Sequence, residues 1–243
     1  MDIHKNFERI KKSHDPEKIN DFIINLSEYP KKATWEIIDY FLEDLEQEIF
    51  ENIKINLTYL IGKISLVQNV PEKYLNFLIE IYYQSDKWVR NEIIKSFEII
   101  IENQKPNKRI IDLLKISIKE DYIPIKKNTL GAISKIENVE FAIIKNILIE
   151  MDTRDSEILN RCKNILKNQI KNEKQLFEIL NEENSYTLIK LRAFRNILTS
   201  FFKSLINIEP FRNRIEQSNW ENSYKIKYLE EIDTFQKILL SNL

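Results

Sequence analysis

Glycine is nearly absent from this chain: Gly62 and Gly131 are the only two among 243 residues, where average usage would supply about 7%. Turn-rich β-sandwiches, dinucleotide-binding folds and phosphate-binding loops need glycine at positive φ or close to a ligand. Those classes are excluded before any motif is sought. Cysteine is single, so Cys162 allows no intramolecular disulfide and no cysteine-based zinc site. Histidine is confined to His4 and His14, which lack an HExxH-type pairing, and no metal site is expected there. Long apolar runs are lacking as well. Stretches such as 97–101 meet Glu or Lys within a few residues, far short of the roughly 20 apolar residues of a membrane span. The opening Met1-Asp2-Ile3-His4-Lys5 has no apolar core of a signal peptide. A formal net charge of −1 points to neither a nucleic acid nor a membrane. A cytoplasmic protein with no membrane association and no cofactor is the expectation.

Helical periodicity fills the remaining space. In 34–47, Trp35, Ile38, Leu42 and Leu45 recur at three- and four-residue steps, with Thr34 as the expected N-cap. In 71–83, Tyr74, Leu75, Leu78, Ile79 and Tyr82 do the same behind Pro71. Breakers at Tyr29-Pro30, Val70-Pro71, Lys105-Pro106, Ile123-Pro124 and Glu209-Pro210 separate such segments. Asp86, Asn138 and Asp155 are further N-cap candidates.

The segments are self-similar. From Val89, apolar or small residues follow at Ile93, Ser96, Phe97 and Ile100. The same template fits Ile53 with Leu57, Leu60, Ile61 and Ile64, and Ile125 with Thr129, Ala132, Ile133 and Ile136. It fits Ile158 with Cys162, Ile165 and Leu166, Ile189 with Ala193 and Ile197, and a shorter copy at Ile19. The anchors are 34, 36, 36, 33 and 31 residues apart, a period that marks stacked two-helix units.

Asp86-Lys87-Trp88-Val89-Arg90 follows the Asp-x-x-Val-Arg opening of the second helix in HEAT repeats. On those residues the chain resembles the HEAT-repeat family. Asp155 keeps the acid of that motif but Leu159 replaces its basic residue, while Ile53-Lys54 and Ile125-Lys126 keep only the apolar–basic pair. The resemblance implies an all-α, right-handed α-α superhelix (a HEAT-like solenoid) of about five to six helical hairpins in one domain. Its parts would be N-terminal capping helices over 1–30, repeats over 31–205 and a C-terminal helical cap over 206–243. In the cap, Tyr224, Tyr228, Ile232, Phe235 and Leu239 share one face. The second helices, expected at 49–64, 88–102, 124–135, 156–168 and 185–202, would line the concave side. The basic residues after the anchors, Lys54, Arg90, Lys126 and Lys190, would sit near the Asp caps of neighbouring units.

No catalytic constellation emerges. Cys162 occupies a core position far in sequence from either histidine, so it reads as an inert buried thiol, and no enzyme is expected. Two surfaces remain. Seven acids, including Glu36, Asp39, Glu43 and Asp44, lie within 35–51 without one Lys or Arg, and Asp39 and Glu43 repel at i,i+4 spacing. This predicts an acidic outer surface. The outward positions of the second helices instead carry Lys63, Lys95, Lys127, Lys135, Arg161, Arg192 and Arg195, with few acids among them. From 186 to 227 eight basic residues face three acidic ones.

The expected function is a non-enzymatic scaffold or adaptor that grips a polar or acidic protein segment in its concave groove. A nucleic-acid binder is the alternative, and an immunity or inhibitor protein suits the same size and surface. HEAT-like alkylpurine DNA glycosylases are similar in architecture but use concave tryptophans beside an Asp. Trp35, Trp88 and Trp220 do not fall into that pattern here, so no residue role carries over.

Overall fold

The structure, a computed structural model, describes residues 3–241. Met1-Asp2 and the end of the expected cap, Asn242-Leu243, lie outside the described residues. Every regular element described is helical. The α-helices are α1 Ile3–Ile10, α2 Pro16–Glu28, α3 Trp35–Glu43, α4 Gln47–Ile64, α5 Glu72–Gln84, α6 Lys87–Asn103 and α7 Lys108–Ser117. They continue with α8 Ile123–Ser134, α9 Phe141–Glu150, α10 Ser156–Gln169, α11 Glu173–Asn181, α12 Leu191–Phe201, α13 Leu205–Gln217 and α14 Asn222–Ser241. Two 3-10 segments, Pro30–Lys32 and Glu182–Leu188, interrupt the series. The helices divide into two compact units, α1–α8 and α9–α14, the second also holding residues 118–121.

In the first unit every second helix packs on the next: α2 on α4, α4 on α6, α6 on α8, with α3, α5 and α7 seated on them. The template positions form this core. Leu57, Leu60, Ile61 and Ile64 of α4, Ile93, Ser96, Phe97 and Ile100 of α6, and Thr129, Ala132 and Ile133 of α8 are all buried. Ile136 falls past the end of α8 and is only half-buried. Asp86 and Asp155 cap α6 and α10, their carboxylates accepting from Trp88 and Val89 N–H (2.9 and 3.1 Å) and from Glu157 and Ile158 N–H (2.9 and 3.0 Å). Thr34 precedes α3 as expected, but its hydroxyl makes no cap bond. The buried stripe of α3 is Ile37, Ile38 and Phe41. Leu42 and Leu45, expected on that stripe, are half-exposed, while Trp35 lies flat against Tyr74 at 4.3 Å.

Both glycines are helical, and both face α6. A Cβ on Gly62 of α4 would stand 2.8 Å from Ser96 Oγ and 3.0 Å from its backbone Cα. Glycine is required there by close approach and not by φ. Ser96 turns the approach to use, donating its hydroxyl to Thr58 O at 2.9 Å. A Cβ on Gly131 of α8 would first meet the Glu98 carboxylate, at 2.6 Å.

The second unit follows the same alternation, α9 beside α11 beside α13 and α10 beside α12 beside α14. The C-terminal segment therefore extends this packing as one more helical pair. Tyr228, Ile232 and Phe235 of its expected face are buried, and Tyr224 and Leu239 are half-buried. Trp220 is buried, stacked on Phe177 and Tyr186 (centroids 5.5 and 4.4 Å), and donates Nε1–H to Asn181 Oδ1 at 2.8 Å.

Three sequence expectations fail in this unit, each for a physical reason. Asn138 does not cap a helix: α9 starts at Phe141 behind Glu140. Gln169 accepts from Val139 N–H (3.2 Å) and donates to Ile136 O and Glu137 O (3.3 and 3.0 Å), which holds 136–139 out of the helix. The helix expected over 185–202 begins only at Leu191. Before it, the Tyr228 hydroxyl lies 2.5 Å from Tyr186 O and 2.7 Å from Ile189 O, and Glu183 and Asn184 adopt φ of 50° and 53°. Those carbonyls and dihedrals are withdrawn from α-helical use. Pro210 does not break the chain but sits inside α13. Burial of Ile208, Phe211 and Ile215 offsets a proline cost of about 3 kcal/mol.

The glycines give a paired test of the close approach. Gly→Ala within a helix ordinarily stabilises by roughly 0.5–1 kcal/mol. At Gly62 the new methyl meets backbone, and overpacking of about 1–3 kcal/mol should prevail. At Gly131 a flexible carboxylate moves aside, and the variant should unfold within about 1 kcal/mol of the parent. Urea unfolding of both variants measures the difference; equal effects would overturn the contact explanation.

Candidate interaction surfaces

The seven expected cations divide between the units. Lys63, Lys95, Lys127 and Lys135 belong to the first; Arg161, Arg192 and Arg195 belong to the second. Partners from the chain itself reach them. Lys63 lies over the Tyr59 ring at 5.2 Å. Lys95 pairs with Glu92 (3.1 Å), Lys135 with Glu102 (3.0 Å) and Arg161 with Glu157 (3.0 Å). Arg192 meets Asp152 at 2.9 Å, and Arg195 forms a two-pronged contact with Glu231 at 2.6 Å on each arm. Lys127 is half-buried on α8.

Depth separates these pairs into two kinds. At Lys135–Glu102 and Arg161–Glu157 the carboxylate is the more exposed partner. On α12 the order is reversed. Lys190 and Arg192 are 76% and 47% exposed above Asp152, which is 14% exposed. Arg195 is 62% exposed above Glu231 at 13%. Lys95 above Glu92 repeats the pattern in the first unit, 49% against 16%. In these pairs the acid lies beneath and the cation is what solvent meets. Glu231 also holds the Arg195 guanidinium above its ordinary pKa through that hydrogen-bonded pair.

Sequence reasoning missed both Asp152 and Glu231. Asp152 sits in the turn after α9, where nothing local marks it, and Asn196 anchors that turn by donating to Met151 O at 2.8 Å. Glu231 lies 36 residues beyond Arg195, which is the spacing of the anchors and the one signal that could have revealed it. Among the cations that follow the anchors, Lys190 meets Asp152 in the turn after α9 at 2.9 Å. Lys54 turns to Glu51 of its own helix, and Arg90 lies over the Tyr82 ring at 5.8 Å. Asparagines on the second helices join neighbouring helices: Asn56 donates to Asn20 at 2.8 Å and Asn128 to Asn91 at 2.9 Å.

The acidic surface is less bare than its sequence. Lys73 of α5 reaches back to Asp39 (2.7 Å) and Glu43 (2.5 Å), replacing their mutual repulsion with a shared cation. Tyr74 donates to Asp39 at 2.8 Å. The Lys73 hydrogen bond holds the Asp39 carboxyl below its usual range. Burial, aided by Asp39, pushes the Tyr74 phenol up to about 12. Glu36 and Asp44 are exposed. The buried thiol of Cys162 agrees with its expected core position. Of the tryptophans only Trp88 stands in solvent, 59% exposed, with its ring edge-on to Tyr122 at 5.8 Å and the Lys87 ammonium over both. Among the described residues no cluster of His, Cys, Asp or Glu could hold a metal ion, and no helix is long and apolar enough to cross a membrane.

No protein-family model and no curated protein sequence matches the chain. Among solved structures it is similar to a crystal structure of an engineered protein at 13% identity, with a TM-score of 0.54 over 96% of this chain and 97% of that one. That likeness concerns the fold alone.

Two measurements follow from the charge geometry. A double-mutant cycle on Arg195 and Glu231, read by urea unfolding, should give a coupling on the order of 1 kcal/mol, against about 0.3–0.5 kcal/mol for the helical Arg161–Glu157 pair. Equal couplings would contradict the depth ordering. Because the folded-state pKa of Asp39 is lowered, its stabilisation is complete above the ordinary Asp value and is lost as pH falls below it. The Asp39→Asn variant should therefore lose less stability than the parent between about pH 4 and pH 2; parallel acid limbs would exclude this role.

Proposed function

We propose that the chain is a HEAT-like α-solenoid that works as a non-enzymatic protein-binding scaffold, gripping an acidic or polar segment of a partner protein. The observation that carries this reading is the layered surface of α12 and its N-cap, where Lys190, Arg192 and Arg195 stand outward over the sunken Asp152 and Glu231. Arg195, held by two hydrogen bonds to Glu231, loses little freedom on binding, and Asp152 draws Lys190 and Arg192 to the same side by charge, so a ligand carboxylate meets donors gathered in advance. Three cations over two carboxylates leave one net positive charge there. That suits a short acidic segment better than a polyphosphate, whose affinity rests on many unneutralised cations releasing counterions. Alternation of packed helices in each unit and the Asp86-to-Arg90 motif support the solenoid.

The basic excess between 186 and 227 favours the second reading, a nucleic-acid binder. One experiment separates the two. Affinity purification from the native host should recover a stoichiometric protein that is lost with the combined Lys190→Gln, Arg192→Gln and Arg195→Gln variant, whose unfolding is checked in parallel. A labelled oligonucleotide should not shift at near-physiological salt. A salt-sensitive oligonucleotide shift abolished by the same variant would replace the protein-binding reading with the nucleic-acid one.

A further inference from the structure

The end of α3, the loop to α4, the first two turns of α4 and the facing side of α5 form a cleft of about 300 Å³ in the first unit. Its apolar lining comes from Leu42, Leu45, Phe50 and Phe77, none of them fully buried, and from Ile81. Phe50 and Phe77 meet edge-to-face at 6.1 Å. Leu42 and Leu45 are the residues whose spacing placed them on the buried stripe of α3; the core uses Ile37, Ile38 and Phe41 instead. Their apolar surface is thus left over from folding, in a concave site large enough for one or two large apolar side chains.

The border of this cleft is acidic. Glu51 and Glu80 line it directly, and Asp44, Glu46 and Glu48 are exposed along the same loop and helix start. Lys54 is the one basic residue in the lining, and Glu51 holds it. Arg109 reaches Glu80 only at 3.7 Å. Among the described residues no cation pairs with Asp44, Glu46 or Glu48, in contrast to Asp39 and Glu43, which share Lys73.

From the apolar floor and this predominantly acidic border we infer that the cleft docks a basic amphipathic helix of a partner protein, with a large apolar side chain in the cleft and Lys or Arg residues against Glu46, Glu48 and Asp44. Helix-in-groove recognition uses such apolar anchors at three- and four-residue spacing, and complementary charge at the rim sets the association rate and the salt dependence. This surface has the opposite sign to the α12 face and belongs to the other unit, so the inference does not depend on the proposed function.

The test uses the full chain and two fluorescent peptides of about 18 residues, one an amphipathic Leu/Lys helix and one its Leu/Glu counterpart. The Leu/Lys peptide should bind, and the Leu/Glu peptide should not. Affinity should fall about tenfold or more with Leu45→Asp, and as far with the exposed double variant Glu46→Lys/Glu48→Lys. The Arg192→Gln/Arg195→Gln variant should bind the Leu/Lys peptide as the parent does, which keeps this surface distinguishable from α12. The double reversal alters only exposed side chains, so it preserves the test should Leu45→Asp fail to fold. Absence of Leu/Lys binding at low salt, equal binding by the parent and the double reversal, or equal binding of both peptides would overturn the inference. Sedimentation showing a parent dimer that the double reversal dissociates would assign the cleft to a second copy of the chain and overturn it as well.

Discussion

The first unit depends on how near α6 can come to α4. Ser96 lies where a side chain on Gly62 would have to stand, and the missing methyl lets one helix rest on the backbone of the other. Interiors pack at crystal-like density, so a contact of this kind fixes rotation and slide together. Once α6 is seated, groups one period away meet without further adjustment. Gln104, just past the end of α6, accepts from Val70 N–H (2.7 Å) and donates to Val70 O (3.3 Å). Asn128 reaches Asn91, and Lys135 reaches Glu102. A chain with two glycines has placed both on helices beside α6, which explains how so low a glycine content is compatible with tight packing: the chain uses glycine for helix contact and not for turns.

Much of the fold was legible because burial obeys a local rule. An apolar side chain every three or four residues makes a stripe, and the anchor template at Ile53, Val89 and Ile125 located the buried faces of α4, α6 and α8. Asp86 and Asp155 were legible for the same reason, since a cap is a contact with residues two and three positions on. What failed was decided from far away. Gln169 acts on a loop about 30 residues earlier, and Tyr228 on carbonyls about 40 residues earlier. Neither leaves a trace in the sequence around Asn138 or Ser185. On α3 the sequence offers two overlapping apolar stripes, and packing chose Ile37, Ile38 and Phe41.

The surfaces were legible in sign and not in arrangement. Reading along one helix counts charges but cannot see a neighbour's side chain arriving from one period away. Lys73 reaches an acidic run 30 to 34 residues before it, and Glu231 lies beneath a guanidinium 36 residues before it. These separations lie near the spacing of the anchors, as do the 33 residues between Glu102 and Lys135, so the period that revealed the helices also carries part of the cross-helix charge pairing. Asp152, between Lys190 and Arg192, does not obey it, because it sits in a turn and not on a second helix.

Depth then determines what such pairing does. Where a carboxylate lies outside its cation, as Glu157 does over Arg161, an anionic ligand meets like charge first and the cation is spent on the fold. Where the acid lies beneath, as Glu231 does, it screens part of the charge above it yet fixes the guanidinium in place. Affinity for any one carboxylate is lowered by the competition, while the orientation a ligand must satisfy is narrowed. A surface built in this way selects by geometry more than by total charge. The same logic makes the unpaired acids Glu46 and Glu48 different in kind from Asp39 and Glu43. Among the described residues no cation pairs with them, so the electrostatic gain of meeting one is left for a molecule that is not this chain.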